Sequence, residues 1–277
     1  MLTTDYVPGS ACWVELGTPD VRAAAQFYGD LFGWEFQPLG PEGGEHSRTA
    51  AGRGYGLLTL DGRVAAGLGP LPEAQARSAW LLCFSSPDAE ATARAVAAAG
   101  GRVARQPVDV PADGRMAWCT DPAGALFAVW QPAARKGLEA LAKEGSLCWT
   151  ELYTTDGTGA KKFYRHVFGW REEDVRLSGA GTGNYTVVAT ADGGPERSLG
   201  GIMQLPERHL RKDGGPYWQP YFEVPDCDVI AAAVLARGGR LHMEPTSHEG
   251  IGRIALCTDR FGANFAVITS EIPPPPV

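Results

Sequence analysis

The chain has few lysines and no basic stripe. Of its 25 basic residues, 20 are arginine and five are lysine, against 32 acidic residues and a net charge of −7. A phosphate backbone needs a clustered positive surface, so nucleic acid is not an expected partner. Long hydrophobic runs are also missing. No stretch of about 18 apolar residues is available to span a bilayer, which makes a soluble protein with no membrane partner the expectation. The opening residues MLTTDYVPGS lack the basic start and apolar run of a secretory signal, and the expected address is the cytoplasm. Cysteine is present six times but never as CxxC. Cys12 recurs as Cys148 and Cys119 as Cys257, each within an apolar strand-like run, which favours small buried hydrophobes over redox or metal roles. Histidine occurs five times, at His46, His166, His209, His242 and His248. No Ser/His/Asp or Cys/His constellation is legible, so covalent catalysis has no visible nucleophile.

What the chain does have is a repetition. FYGDLFGWEF at Phe27 returns as FYRHVFGWRE at Phe163, an interval of 163 − 27 = 136. That interval is too long for a solenoid repeat and fits a duplicated small domain. SACWVELGTPD at Ser10 matches SLCWTELYTTD at Ser146, also 136 apart, while WLLCFSSPD at Trp80 returns as WQPYFEVPD at Trp218, 138 apart. CTDPAGALFAV at Cys119 and CTDRFGANFAV at Cys257 keep the offset of 138. The expected organisation is a first domain over 1–131, a polar linker over 132–145 with a helical turn, a second domain over 146–272 and a Pro-rich tail over 273–277.

Within one half the periodicities are readable. CWVEL alternates as a strand that places Trp13 and Glu15 on one face, with Cys12, Val14 and Leu16 on the other. Asp20 caps a helix to Phe32 whose Ala24, Phe27 and Leu31 face a sheet, and Gly33 ends it. Strands are predicted around Trp34, over Gly54 to Leu60 and over Val64 to Leu68, the last two joined by a hairpin at Asp61-Gly62. A strand from Trp80, a helix over Pro87 to Ala99 and three further strands complete a second βαβββ unit. The glycines from Gly52 to Gly56 precede a strand, not a helix, and imply no phosphate cradle.

Four βαβββ units carrying FYxxxFGW, WxxxFxxPD and TDPxGxxFAV resemble the vicinal oxygen chelate superfamily of glyoxalases, bleomycin-resistance proteins and extradiol dioxygenases. The likeness is to its two-domain actinobacterial type. It implies an α+β fold of two tandem glyoxalase-like domains, each a curved eight-stranded mixed sheet around a cup. Catalytic members hold a metal in that cup, and their ligand positions map here onto Trp13 and Trp149, then Leu81 and Gln219, then Ala128 and Ala266. Indole and methyl groups do not ligate a divalent metal, which needs about three converging N, O or S donors. No metal and no cofactor are therefore expected; His242 and His248 with Glu244 and Glu249 form the only fallback cluster.

The same positions suggest a ligand-binding surface. Trp13, Trp149 and Trp130, with Ala128 and Ala266 leaving room beside them, suit a planar apolar or aromatic small molecule, although the rings could equally fill the cup as core. Glu15 and Glu151 repeat on the same face. Each either forms a buried ion pair, with Arg115 or Arg253 as partner, or faces a ligand as a general base. Tyr55 and Tyr185 are candidate hydrogen-bond donors to a carbonyl. The first functional reading is metal-independent binding of an antibiotic or aromatic polyketide intermediate, for sequestration or as an accessory to secondary metabolism. A metal-free hydroxylase, isomerase or lyase using a cup glutamate is the alternative, and a metal-dependent glyoxalase or dioxygenase the third. The expected assembly is a monomer acting as a pseudo-dimer, or a weak homodimer.

Overall fold

A computed structural model describes residues 2–39, 54–71, 77–176, 184–192 and 197–271. His46, Gly52 and the tail 273–277 lie outside the described residues. In the first half the elements are β1 (Ala11–Thr18), α1 (Val21–Phe32), β2 (Glu35–Pro38), β3 (Gly56–Leu60), β4 (Arg63–Pro70), β5 (Ala79–Ser85), α2 (Ala89–Ala98), β6 (Arg102–Val110), β7 (Gly114–Thr120) and β8 (Leu126–Pro132). The second half repeats them as β9 (Leu147–Thr154), α3 (Gly157–Phe168), β10 (Arg171–Arg176), β11 (Asn184–Ala189), β12 (Ser198–Gln204), β13 (Tyr217–Glu223), α5 (Cys227–Ala236), β14 (Arg240–His248), β15 (Gly252–Thr258) and β16 (Asn264–Ser270). After β12 it adds a short helix, α4 (Glu207–Leu210), followed by a 3-10 turn at Arg211–Asp213.

The strands form two eight-stranded mixed sheets with matching orders, β2-β3-β4-β1-β5-β8-β7-β6 and β10-β11-β12-β9-β13-β16-β15-β14. Parallel pairs such as β1 with β4 and β5 with β8 arise where a helix or hairpin returns the chain to the sheet centre. Each sheet draws on one half of the chain. By compactness the chain instead divides into one unit of 1–13, 81–137 and 149–219 and another of 14–80, 138–148 and 220–277.

Local chemistry sets the helix ends as the sequence suggests. The Asp20 carboxylate accepts from Ala23 N at 2.9 Å, and Gly33, at φ 73°, takes the left-handed position that stops α1. Asp156 and Gly169 repeat the arrangement on α3. The hairpin between β3 and β4 turns at Asp61 (φ 52°) and Gly62 (φ 75°), two positive φ values that match the right-handed strand twist.

The repeated motifs meet in the cores. In the unit containing 149–219, Trp218 Nε1 donates to Tyr164 Oη at 2.9 Å, and Tyr164 Oη donates to Asp121 Oδ2 at 3.3 Å. In the other unit Trp80 Nε1, Tyr28 Oη and Asp259 Oδ2 form the same relay at 3.1 and 3.3 Å. Tyr28 and Tyr164 are almost wholly buried among Phe and Trp rings, with Tyr164 stacked on Trp170 at 4.9 Å and Tyr28 on Trp34 at 6.0 Å. The FY, W and TD residues are thus core polar networks in which each buried group has a partner. Burial raises the Asp121 and Asp259 carboxyls above the ordinary aspartate value, against the lowering pull of backbone N–H donors and the tyrosines.

The linker departs from expectation. Residues 132–145 contain no helical turn; Leu141 bridges Leu147, and Leu138 and Ala140 are buried. Its backbone pairs instead with strand residues, Glu139 N and Ala140 N donating to Val64 O at 2.7 and 3.0 Å, which overrides the weak local helix propensity.

Candidate functional site

Strand register decides which side chains share a face. Arg115 lies opposite Gln131 in the β7/β8 ladder, and Gln131 accepts from Ala89 N at the start of α2, so both belong to the helix side of the sheet. Met116 and Trp130 are paired on the opposite, helix-free face. By the same alternation Trp13, Glu15, Trp149, Glu151, Gln219 and Ala266 take the helix-free faces.

This overturns the role expected for the arginines. Arg115 binds Glu90 at 2.7 Å and Asp109 at 3.1 Å, and Arg253 binds both carboxylate oxygens of Asp228 and the Ser247 hydroxyl. Neither pairs with Glu15 or Glu151. The physical reason is parity: an odd separation along β7 and β15 from the helix-free residues turns both guanidiniums toward α2 and α5. The pair holds Asp228 below and Arg253 above their usual values, chiefly through the hydrogen bonds between them.

In the first half, Tyr55 Oη donates to Glu15 Oε2 at 3.1 Å, with the Tyr55 ring lying over Gly67 and Gly69. Glycine is required there, because a Cβ on Gly69 would stand 2.6 Å from the ring. Trp13 and Trp130 are each 5% exposed. Both meet the linker residue Arg135: its guanidinium lies 5.7 Å from the Trp13 ring centroid, and its carbonyl accepts from Trp130 Nε1 at 2.9 Å. An ion pair from Arg135 to Asp113 at 3.2 Å fixes the segment. The chain's own linker therefore covers these two indoles. Ala128 is fully buried beside Cys83 in register, and Leu81 is half-buried on β5.

The second half differs in polarity and exposure. Trp149 Nε1 donates to Tyr185 Oη at 3.0 Å, and the Tyr185 ring lies against the glycine at 201, where any Cβ would collide with its hydroxyl. Burial, followed by the neighbouring Glu151 charge, raises the Tyr185 hydroxyl well above the usual tyrosine value, so it stays a proton donor. Tyr217 is raised for similar reasons, with Asp213 and Glu151 as its charged neighbours after burial itself. The Tyr153 and Tyr217 rings meet at 5.4 Å. Glu151 is 5% exposed and Gln219 is 2% exposed.

Strands β9 and β13 are neighbours in the sheet, and Gly145 N bonds Glu223 O while Tyr153 meets Tyr217. One chain index rises as the other falls, so the pair is antiparallel, and two residues in from that ring contact Gln219 falls beside Glu151. Among the described residues the Gln219 Nε2 group has no hydrogen-bond partner despite its burial. Trp149, Tyr185 and Tyr217 remain half-exposed around it. Ala266 is buried in register with Tyr221.

Sequence reasoning missed Arg135, Tyr153 and Tyr217. The tyrosines were findable, since each stands two residues from a named site residue on an alternating strand. Arg135 was not, because it has no counterpart within the repeat.

The donor chemistry does not fit a divalent metal. At the positions where the resembling enzymes ligate, Trp149 offers an N–H already donated to Tyr185, and Ala128 and Ala266 offer no donor. Among the described residues no group of three or more His, Cys, Asp or Glu side chains could hold a metal ion, the His242 and His248 region included.

A protein of paired βαβββ units, each pair forming one eight-stranded mixed sheet, is a recognisable class. The family model for the Glyoxalase/Bleomycin resistance protein/Dioxygenase superfamily matches residues 12–129 and 146–267, and the chain belongs to that superfamily. It is 34% identical over 281 residues to the anthracycline biosynthesis protein DnrV of Streptomyces peucetius, covering 96% of this chain and 94% of the relative. It is 33% identical over 269 residues to a Mycobacterium tuberculosis protein provisionally named glyoxylase CFP32, covering 96% of each. In fold it is similar to the Mn(II)-bound glyoxalase of Novosphingobium aromaticivorans, with TM-score 0.61 and 17% identity over 96% of this chain and 85% of the other. The 2,2',3-trihydroxybiphenyl 1,2-dioxygenase of Sphingomonas wittichii gives TM-score 0.63 and 13% identity, covering 95% and 91%. No helix among the described residues is long and apolar enough to cross a membrane.

Proposed function

We propose that the protein binds a planar aromatic small molecule, without a metal, on the helix-free face of its second half, for sequestration or as an accessory to the tailoring of such molecules. The observation that carries this reading is the ring set of Trp149, Tyr185 and Tyr217, half-exposed around a buried carboxylate, where metal enzymes of the fold would present ligands. Aromatic faces contribute about 0.5–1.5 kcal/mol each beyond area burial when they stack on a flat partner. The relatives named for anthracycline biosynthesis support a planar ligand. The first half is the weaker candidate, because Arg135 covers Trp13 and Trp130.

The test is tryptophan fluorescence with a panel of planar aromatics, in wild type and Trp149→Phe, with and without a chelator. Saturable quenching that survives chelation and is lost in Trp149→Phe is expected. A flat response across the panel, or quenching that requires added metal, overturns the reading. General-base chemistry by Glu151 is the second reading, favoured by the burial of that carboxylate between phenols. Under it, Glu151→Gln abolishes product formation while quenching persists.

A further inference from the structure

From the Gln219 Nε2 group, which lacks a hydrogen-bond partner among the described residues and lies beside Glu151, we infer that the second-half site selects aromatic ligands carrying a carbonyl acceptor and a hydroxyl donor on one edge, with Gln219 as the specificity-determining residue. The inference rests on the aromatic-binding reading above and adds the polar identity of the ligand.

A primary amide has two N–H donors and a carbonyl acceptor. In this protein the Gln219 nitrogen is buried, 2% of the residue remaining exposed, and finds no acceptor among the described residues. Such a group costs free energy in the empty protein and is rare in native structures. A ligand carbonyl placed against it recovers that cost on binding. The first-half equivalent, at 219 − 138 = 81, is Leu81, so the fold itself does not require an amide at this point of the strand.

Glu151 supplies the complementary function. An ionised carboxylate accepts at about four lone-pair positions, so it can take a ligand hydroxyl in addition to its existing contacts. A donor and an acceptor on neighbouring strands sit about 5 Å apart at Cβ, a spacing that suits a carbonyl and a hydroxyl on one fused-ring edge that are too far apart to bond each other. Tyr185, with its hydroxyl oxygen engaged by Trp149 Nε1, presents its ring to the flat face of the ligand and not a competing acceptor. A site that has built a hydrogen bond for a substrate group rejects the analogue lacking it, because its own buried group is then left unpaired.

The experiment compares 2-hydroxyanthraquinone, anthraquinone and anthracene by fluorescence quenching, in wild type and Gln219→Leu. Wild type is expected to bind them in that order, with about fivefold to tenfold lost at each of the two steps, first with the hydroxyl and then with the carbonyls. Gln219→Leu is expected to erase the preference of anthraquinone over anthracene. In the absence of ligand the same variant is expected to melt at or above the wild-type temperature, since it removes an unsatisfied buried donor; a merely structural glutamine would give a lower melting temperature. Equal wild-type affinity for all three probes, an unchanged order in Gln219→Leu, or a destabilised empty variant overturns the inference and leaves aromatic binding standing. Absence of quenching by every probe defeats the aromatic-binding reading and this inference with it.

Discussion

Replacing Tyr164 with phenylalanine keeps the ring and removes one oxygen, which isolates the value of the buried relay. That hydroxyl accepts from Trp218 Nε1 at 2.9 Å and donates to Asp121 Oδ2 at 3.3 Å, with Tyr164 1%, Trp218 3% and Asp121 3% exposed. The variant leaves an indole N–H and a carboxylate oxygen without partners, at about 1–3 kcal/mol for each group. Asp121 Oδ1 keeps its bonds from Gly124 N and Ala125 N, which holds the total to roughly 2–5 kcal/mol. At roughly 2–4 °C per kcal/mol for a chain of this class, the melting temperature should fall by about 5–15 °C, with a matching loss in urea midpoint. Tyr28→Phe should behave alike, because Trp80 and Asp259 hold it in the same geometry.

The sign of the pH dependence follows from Asp121. Its folded value is raised by burial, so the stabilisation tied to its protonated form is present below the ordinary aspartate value and declines as pH climbs through the raised folded value. The penalty of Tyr164→Phe should therefore be smaller in acid, where a neutral carboxyl tolerates the missing donor better. Urea denaturation at several pH values reads both quantities. A loss below about 0.5 kcal/mol at neutral pH, or a penalty that grows in acid, would refute the relay as a source of stability.

Gly201→Ala places a methyl group against the Tyr185 hydroxyl; it should displace that ring, cost about 1–3 kcal/mol through overpacking and weaken aromatic quenching, checked by melting and titration together. Arg253→Ala should leave ligand binding unchanged and the melting temperature close to wild type, since its ion pair with Asp228 lies on the helix side with the arginine side chain 38% exposed; a large loss of quenching would return this arginine to the site.

Much of the architecture was legible because duplication and alternation are local properties of the chain. Asp20 and Gly33, the Asp61-Gly62 turn and the period-two strand of Trp13 and Glu15 each act through neighbours a few residues away. The linker was misread for the complementary reason: its polar sequence gave no sign of where Leu138 and Ala140 would be buried. Arg115 and Arg253 repeat at the same offset as a functional pair would, yet repetition carries no information about which side of a sheet a residue faces relative to a partner on another strand.

The sequence by itself determined four βαβββ units, their caps and turns, and the shortage of metal donors at the positions the resemblance points to, where Gln219 alone could ligate, because each depends on residue type and short-range spacing. Only the tertiary structure decided which strands lie side by side. That choice gave the tyrosines of the FY motif to buried aspartates, turned Arg115 and Arg253 toward the helices, laid Arg135 over Trp13 and set beside Glu151 a Gln219 Nε2 group with no partner among the described residues. Strand register and long-range burial are properties of contacts far apart in the chain, and no local pattern encodes them.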